Sequence, residues 1–125
     1  MNEMEDVKNA FAAFCKTIAA LRDPKTGCPW DLQQTHESLR TFMIEEAYEA
    51  SDAMGSGDAK EIVDELGDVL LQVVLNSQLA KDAGNFSVLD VIKGIDAKMH
   101  RRHPHVFGTE EEKAKRDIPE IKKTW

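Results

Sequence analysis

A helical run that is apolar on every side leaves a chain few ways to fold. From Asp58 to about Ala83 the pattern is helical until Gly84-Asn85 stops it, and Asp58 followed by Glu61 matches a capping box with Asp in place of Ser or Thr. Inside this run Val69, Leu70, Leu71, Val73, Val74 and Leu75 point in nearly all directions at about 100° per residue. Such a helix is central, covered by other helices or by a partner subunit. An all-α fold built around it is the expectation. With 125 residues the chain suits one domain, 1–125, with a core over about 5–108 and a charged tail over 109–125. A protomer this small is not expected to cover so much apolar surface alone, which favours a homodimer.

Three other helices surround that run. Val7, Phe11, Phe14, Ile18 and Leu21 recur three or four apart and predict a first helix from Met4 to Leu21. The segment from Arg22 to Asp31 holds two prolines and a glycine, which reads as a loop without a regular element. Trp30 in that loop reads first as a lid over the core. Asp31 or Thr35 can cap a second helix from about His36 to Met54, with the stripe Leu39, Phe42, Met43, Ala50 and Ala53, ended by Gly55-Ser-Gly57. Ser87 opens a fourth helix whose inward face is Val88, Val91, Ile92, Ile95 and Met99, closed by the basic run Lys98 to His103 and Pro104. In the tail, interrupted by Pro119, a short or frayed helix is expected.

Acids interrupt this apolar plan in two places. On the second helix Leu39, Phe42, Ala50 and Ala53 fall within about 40° of Glu46, so Glu46 stands in the middle of the apolar stripe, with Glu49 about 60° away and Glu45 about 100° away. On the third helix Glu65 and Asp68 are three apart and share a face with Glu61 and Gln72. An antiparallel hairpin of the two helices would bring both acidic pairs around one cavity. A lone acid on a helix is usually solvated or paired with a lysine, but two i, i+3 pairs, one inside an apolar stripe, ask for a cation. Carboxylates without histidine or thiolate favour magnesium or manganese over zinc, and the absence of Glu-x-x-His argues against a di-iron bundle.

Sixteen basic against 23 acidic residues give a net charge of -7, which opposes nonspecific attraction to nucleic acid or anionic membrane. An anionic ligand would need a cation between itself and this protein. Cys15 and Cys28 have no metal-ligand spacing, and no leader or spanning run is recognisable, so a cytoplasmic setting is expected. The basic run at the end of the fourth helix has two readings, complementing the helix dipole or binding phosphate. His103 and His105 read as structural hydrogen-bonders in a turn. Trp30 and Trp125 are candidates for stacking on a base.

The stretches Leu21-Arg-Asp-Pro, Gly27-Cys-Pro-Trp-Asp31, Gln34-Thr-His36, Glu45-Glu-Ala-Tyr-Glu49, Glu65-Leu-Gly-Asp68 and Arg101-Arg-His-Pro-His-Val-Phe-Gly108 together resemble the MazG family of nucleoside triphosphate pyrophosphohydrolases, over residues 18 to 108. The resemblance implies a four-helix bundle of the all-α nucleotide pyrophosphatase type that dimerises through its helices. It implies magnesium-dependent cleavage between the α and β phosphates of nucleoside triphosphates, releasing a monophosphate and pyrophosphate. Carried over, Glu46, Glu49, Glu65 and Asp68 would hold the metal with Glu45 as a possible accessory, and Lys98, Arg101 and Arg102 would hold phosphates. The chemistry of the acids themselves leaves open which one is the general base, with Glu46 and Glu49 the candidates to test. Family members often carry two such domains in tandem, and one is present here. The rival readings are a non-catalytic nucleotide-binding or regulatory dimerisation module of a larger protein, and a purely structural dimerising bundle.

Overall fold

The computed structural model describes residues 2–123 and Trp125, and every regular element among them is a helix. Four are long: α1 (Glu3–Leu21), α3 (His36–Ser56), α4 (Ala59–Asp82) and α5 (Val88–Arg102). These are the four that periodicity anticipates. Between and after them lie four short helices of four or five residues, α2 (Pro29–Gln33), α6 (Pro104–Phe107), α7 (Glu110–Lys113) and α8 (Ile118–Lys122). The chain divides into two compact units, Met1–Val88 and Leu89–Trp125.

In the first unit α4 is the common support: α3 packs along it, and α1 packs against it as well. Ile18, Leu39 and Leu75 are at most 2% exposed and form the centre with Val74 and Leu79, flanked by Phe11, Phe14, Cys15, Leu21, Phe42 and Leu71. Burial of each large aliphatic side chain contributes about 1.5–3 kcal/mol. Every residue of α4 from Leu71 to Ala80 is buried or half-buried, while Val63, Leu66 and Leu70 remain exposed on its first half. The reach of the core is therefore limited to one half of that helix.

The connection between α3 and α4 sets the fold of this unit. Helix α3 continues through Gly55 to Ser56 and stops at Gly57, whose φ of 72° lies in the left-handed region that a Cβ makes costly. Asp58 then caps α4, its carboxylate accepting from the backbone N–H groups of Lys60 and Glu61. Only half of the anticipated capping box forms. The Glu61 carboxylate instead accepts from the Ser56 hydroxyl at 3.0 Å, which ties the end of α3 to the first turn of α4. Two residues thus reverse the chain and make a helical hairpin.

The Arg22–Asp31 segment is more regular than its prolines and glycine suggest. Pro29 occupies the first position of α2, where a missing N–H costs nothing and the fixed φ suits a helix. Asp31 lies inside α2, and Thr35 is the cap of α3, in a full capping box with Ser38. Gly27 is required here, because a Cβ would collide with the carbonyl oxygens of Leu21 and Asp23. The nearly buried Arg22 closes the segment: Nε donates to Asp82 Oδ2 at 3.2 Å and Nη1 to the Asp31 carbonyl at 2.6 Å, joining the end of α1 to α2 and to the end of α4.

In the second unit α5 has no buried residue, and Val91, Ile92 and Ile95 are 36–49% exposed. The stripe that periodicity marks as inward is therefore a largely uncovered face. Helix α6 follows at once, with His103 as its N-cap residue and His105 buried. His103 bonds the Met99 carbonyl through Nδ1 at 2.7 Å, as a structural histidine in a turn should. Thr109 and Glu112 form a full capping box on α7, and Pro119 sits in the first turn of α8 instead of interrupting it.

Candidate metal centre

Glu46 and Glu49 come from α3, Glu65 and Asp68 from α4. Glu49 and Glu65 stand eight residues before and after Gly57, and Glu46 and Asp68 eleven before and after it. Equal arms of an antiparallel hairpin place each pair at one height, about 12 Å and 16 Å from the turn. One ligand oxygen from each of the four carboxyl groups lies within 4.8 Å of the other three. The local sequence explains the aim of Glu46: its neighbours in the same stripe, Leu39, Ala50 and Ala53, are all buried, so the stripe turns toward α4 and carries Glu46 with it.

The electrostatics of this cluster are unfavourable to ionised acids alone. Burial raises the pKa of Glu46 above the usual glutamate value, and the charges of Glu49 and Asp68 raise it further. Glu65 is raised by the same causes, burial first and then Glu49 and Asp68. Two unit charges at 4 Å repel by about 4 kcal/mol at an effective dielectric of 20. Among the described residues no lysine or arginine forms an ion pair with any of the four. Glu46 Oε2 and Glu65 Oε2 are buried without a hydrogen-bond partner. Unpartnered hard oxygens, close together and facing excess negative charge, fit a divalent cation that prefers oxygen ligands. The cluster can hold a metal ion.

Beside it opens a cavity of about 300 Å³ lined by Glu49, Asp52, Ala53, Glu61 and Glu65. Asp52 is the wall residue that the sequence reading leaves out. Its spacing of three from Glu49 was the available signal, but an acid at the edge of a stripe looks like ordinary surface. Glu45 is exposed and outside the group of four, acting on Glu46 only through its charge.

Trp30 lies on α2, half-exposed, with its ring edge-on to Phe42 at 5.7 Å and 78°, so it covers one residue of the core margin instead of sealing the core. Phe42 is one turn before Glu46 on α3. In the second unit Lys98, Arg101 and Arg102 stand at the end of α5, where Lys98 and Arg102 are half-buried and Arg101 is exposed. Cations there complement the helix dipole. Trp125 is exposed and meets the His103 ring edge-on at 5.5 Å.

Residues 34–107, more than half of the chain, match the family described as the MazG nucleotide pyrophosphohydrolase domain. The chain belongs to the MazG family. The match runs from the N-cap region of α3 to the end of α6 and includes all four acids of the cluster. Among curated relatives, a Bacillus subtilis protein, uncharacterized protein YabN, is 55% identical over 97 residues, which is 78% of this chain and 20% of that protein. The nucleoside triphosphate pyrophosphohydrolase/pyrophosphatase MazG of Thermotoga maritima is 45% identical over 105 residues, 84% of this chain and 41% of the relative. The nucleoside triphosphate pyrophosphohydrolase of Escherichia coli K12 is 46% identical over 87 residues, 70% of this chain and 33% of the relative. This MazG domain thus spans between a fifth and about two fifths of the length of these relatives. No helix among its described residues is long and apolar enough to cross a membrane.

Proposed function

We propose that the domain is a magnesium-dependent nucleoside triphosphate pyrophosphohydrolase, cleaving the α–β phosphate bond of ribo- or deoxyribonucleoside triphosphates to a monophosphate and pyrophosphate. The observation that carries this is the set of four carboxylates within 4.8 Å of one another, two with orphaned buried oxygens, in a chain of the MazG family. Glu46, Glu49, Glu65 and Asp68 would hold Mg2+, or Mn2+ in its place. The ion, when bound, supplies charge neutralisation at the phosphates and acidifies water.

The protein's own part is positioning and proton transfer. Water attacks the α phosphorus, the bond from that phosphorus to the bridging oxygen breaks, and pyrophosphate leaves with the bond electrons. Glu46 or Glu49 accepts the proton that the water gives up. Lys98, Arg101 and Arg102 are assigned to phosphate binding, since guanidinium forks match phosphate geometry. Trp30 and Trp125 are assigned to stacking on the base. A homodimer is part of the reading, supported by the exposed apolar residues Ile44, Tyr48, Val63, Leu66 and Leu70 on the two helices that carry the acids. The net charge of -7 argues against nucleic acid as a partner, and two free cysteines suit the reducing cytoplasm.

Pyrophosphate release from a panel of nucleoside and deoxynucleoside triphosphates, with Mg2+ or with EDTA, tests the reading. Release is expected with Mg2+ only, and Glu49→Gln is expected to lower it by about 100-fold or more, beyond what loss of an outer-shell partner costs a metal site. No release from folded, metal-loaded protein would overturn it in favour of a non-catalytic binding module.

A further inference from the structure

Among the described residues three buried side-chain oxygens lack a hydrogen-bond partner: Glu46 Oε2, Glu65 Oε2 and Gln72 Oε1. Two belong to the acidic cluster. The third is an amide carbonyl on a residue only 6% exposed. Gln72 follows Glu65 by seven residues and Asp68 by four, which places it within about 20° and 40° of them around α4. Helical side chains lean toward the N-terminus, so that of Gln72 lies over the turn that carries Asp68. Across the hairpin, Gln72 and Phe42 are each fifteen residues from Gly57, and Phe42 has no hydrogen to donate.

The next polar residue along α4 does not supply the donor either. Asn76 donates through Nδ2 to the Gln72 main-chain carbonyl at 2.7 Å, and its Oδ1 faces His36 Nδ1 at 2.8 Å. A buried acceptor is normally met by a donor, from the protein or from a held water. Ionised carboxylates, phosphate oxygens and a bare cation all lack one. A water in the hydration shell of a hard divalent ion has two polarised O–H groups, and magnesium keeps several such waters when carboxylates hold it.

We propose that Gln72 is a positioning residue of the metal centre, its Oε1 accepting a hydrogen bond from a water in the hydration shell of the ion held by Glu46, Glu49, Glu65 and Asp68. This rests on the metal reading above. By holding one water in a set orientation, Gln72 fixes which way the remaining positions of the shell face.

The test uses Mn2+ without nucleotide. Binding is followed by the paramagnetic resonance of free Mn2+, the shell by water-proton relaxation, and the fold by melting with and without the ion. Gln72→Leu is expected to melt at or above the wild type when metal-free, to bind Mn2+ about tenfold more weakly, and to alter relaxation at saturating ion. Gln72→Glu, which keeps an acceptor, is expected to bind at least as tightly as the wild type. Unchanged affinity and relaxation in Gln72→Leu would overturn the proposal. So would a lowered metal-free melting temperature with unchanged Mn2+ binding, which marks a structural amide. Glu49→Gln separates the two levels: binding lost there but kept in Gln72→Leu sinks only the role of Gln72, whereas no Mn2+ binding by the wild type sinks the metal reading as well.

Discussion

Asp23 shows how much one exposed carboxylate can do for a loop. Its Oδ1 accepts from the backbone N–H groups of Lys25 and Thr26 at 2.8 and 2.9 Å, and these bonds hold its pKa below the usual aspartate value of 3.8. A folded-state pKa below the unfolded one means stability that is present above 3.8 and lost as pH falls through the folded value. Asp23→Asn keeps an acceptor without the titration, so acid unfolding followed by circular dichroism from pH 5 to pH 2 is expected to be less steep in that variant. At this scale the sequence was legible where angle decides: Glu46 could be told from Glu45 because 100° separates a stripe from its flank. The orphaned state of Gln72 could not be read, since spacing puts it on the right face but says nothing of donors across the seam. Asp52 was hidden for the same reason, its relevance depending on a cavity and not on a repeat.

Helices are where periodicity both succeeds and misleads. It located α1, α3, α4 and α5 within a few residues, because each has apolar positions three or four apart. It also assigned the α5 stripe to the interior, and that face is largely uncovered, since a period shows which residues share a side but not what lies against it. Stability should follow burial. Leu75→Ala is expected to cost about 2–5 kcal/mol in a denaturant titration, and Ile95→Ala about 0.5 kcal/mol or less if its face stays open. Helix α2 escapes a reading in which proline only breaks helices; at the first helical position it is a starter. The turn after α3 makes the opposite demand. Gly57→Ala must take a left-handed conformation, and a loss of about 1 kcal/mol is expected by thermal melting.

At the scale of the molecule, the unpaired faces of α3 and α4 bear on assembly. If Leu66 and Leu70 lie in a subunit contact, the double variant Leu66→Glu, Leu70→Glu is expected to sediment as a monomer at concentrations where the wild type is a dimer, with its helix content kept. Equal sedimentation of the two would remove those residues from any contact. Pairing was suggested in the sequence only by an excess of apolar surface, and nothing in a single chain's pattern names the partner. The two arms of the α3–α4 hairpin carry a different lesson. Because Glu49 and Glu65, and Glu46 and Asp68, are counted out equally from Gly57, a residue deleted from one arm alone would slide its acids by about 1.5 Å and swing them by about 100°. The hairpin works as a ruler with its zero at the turn, so natural variants of this fold should change length between turn and acids on both arms together and by about whole helical turns, or not at all.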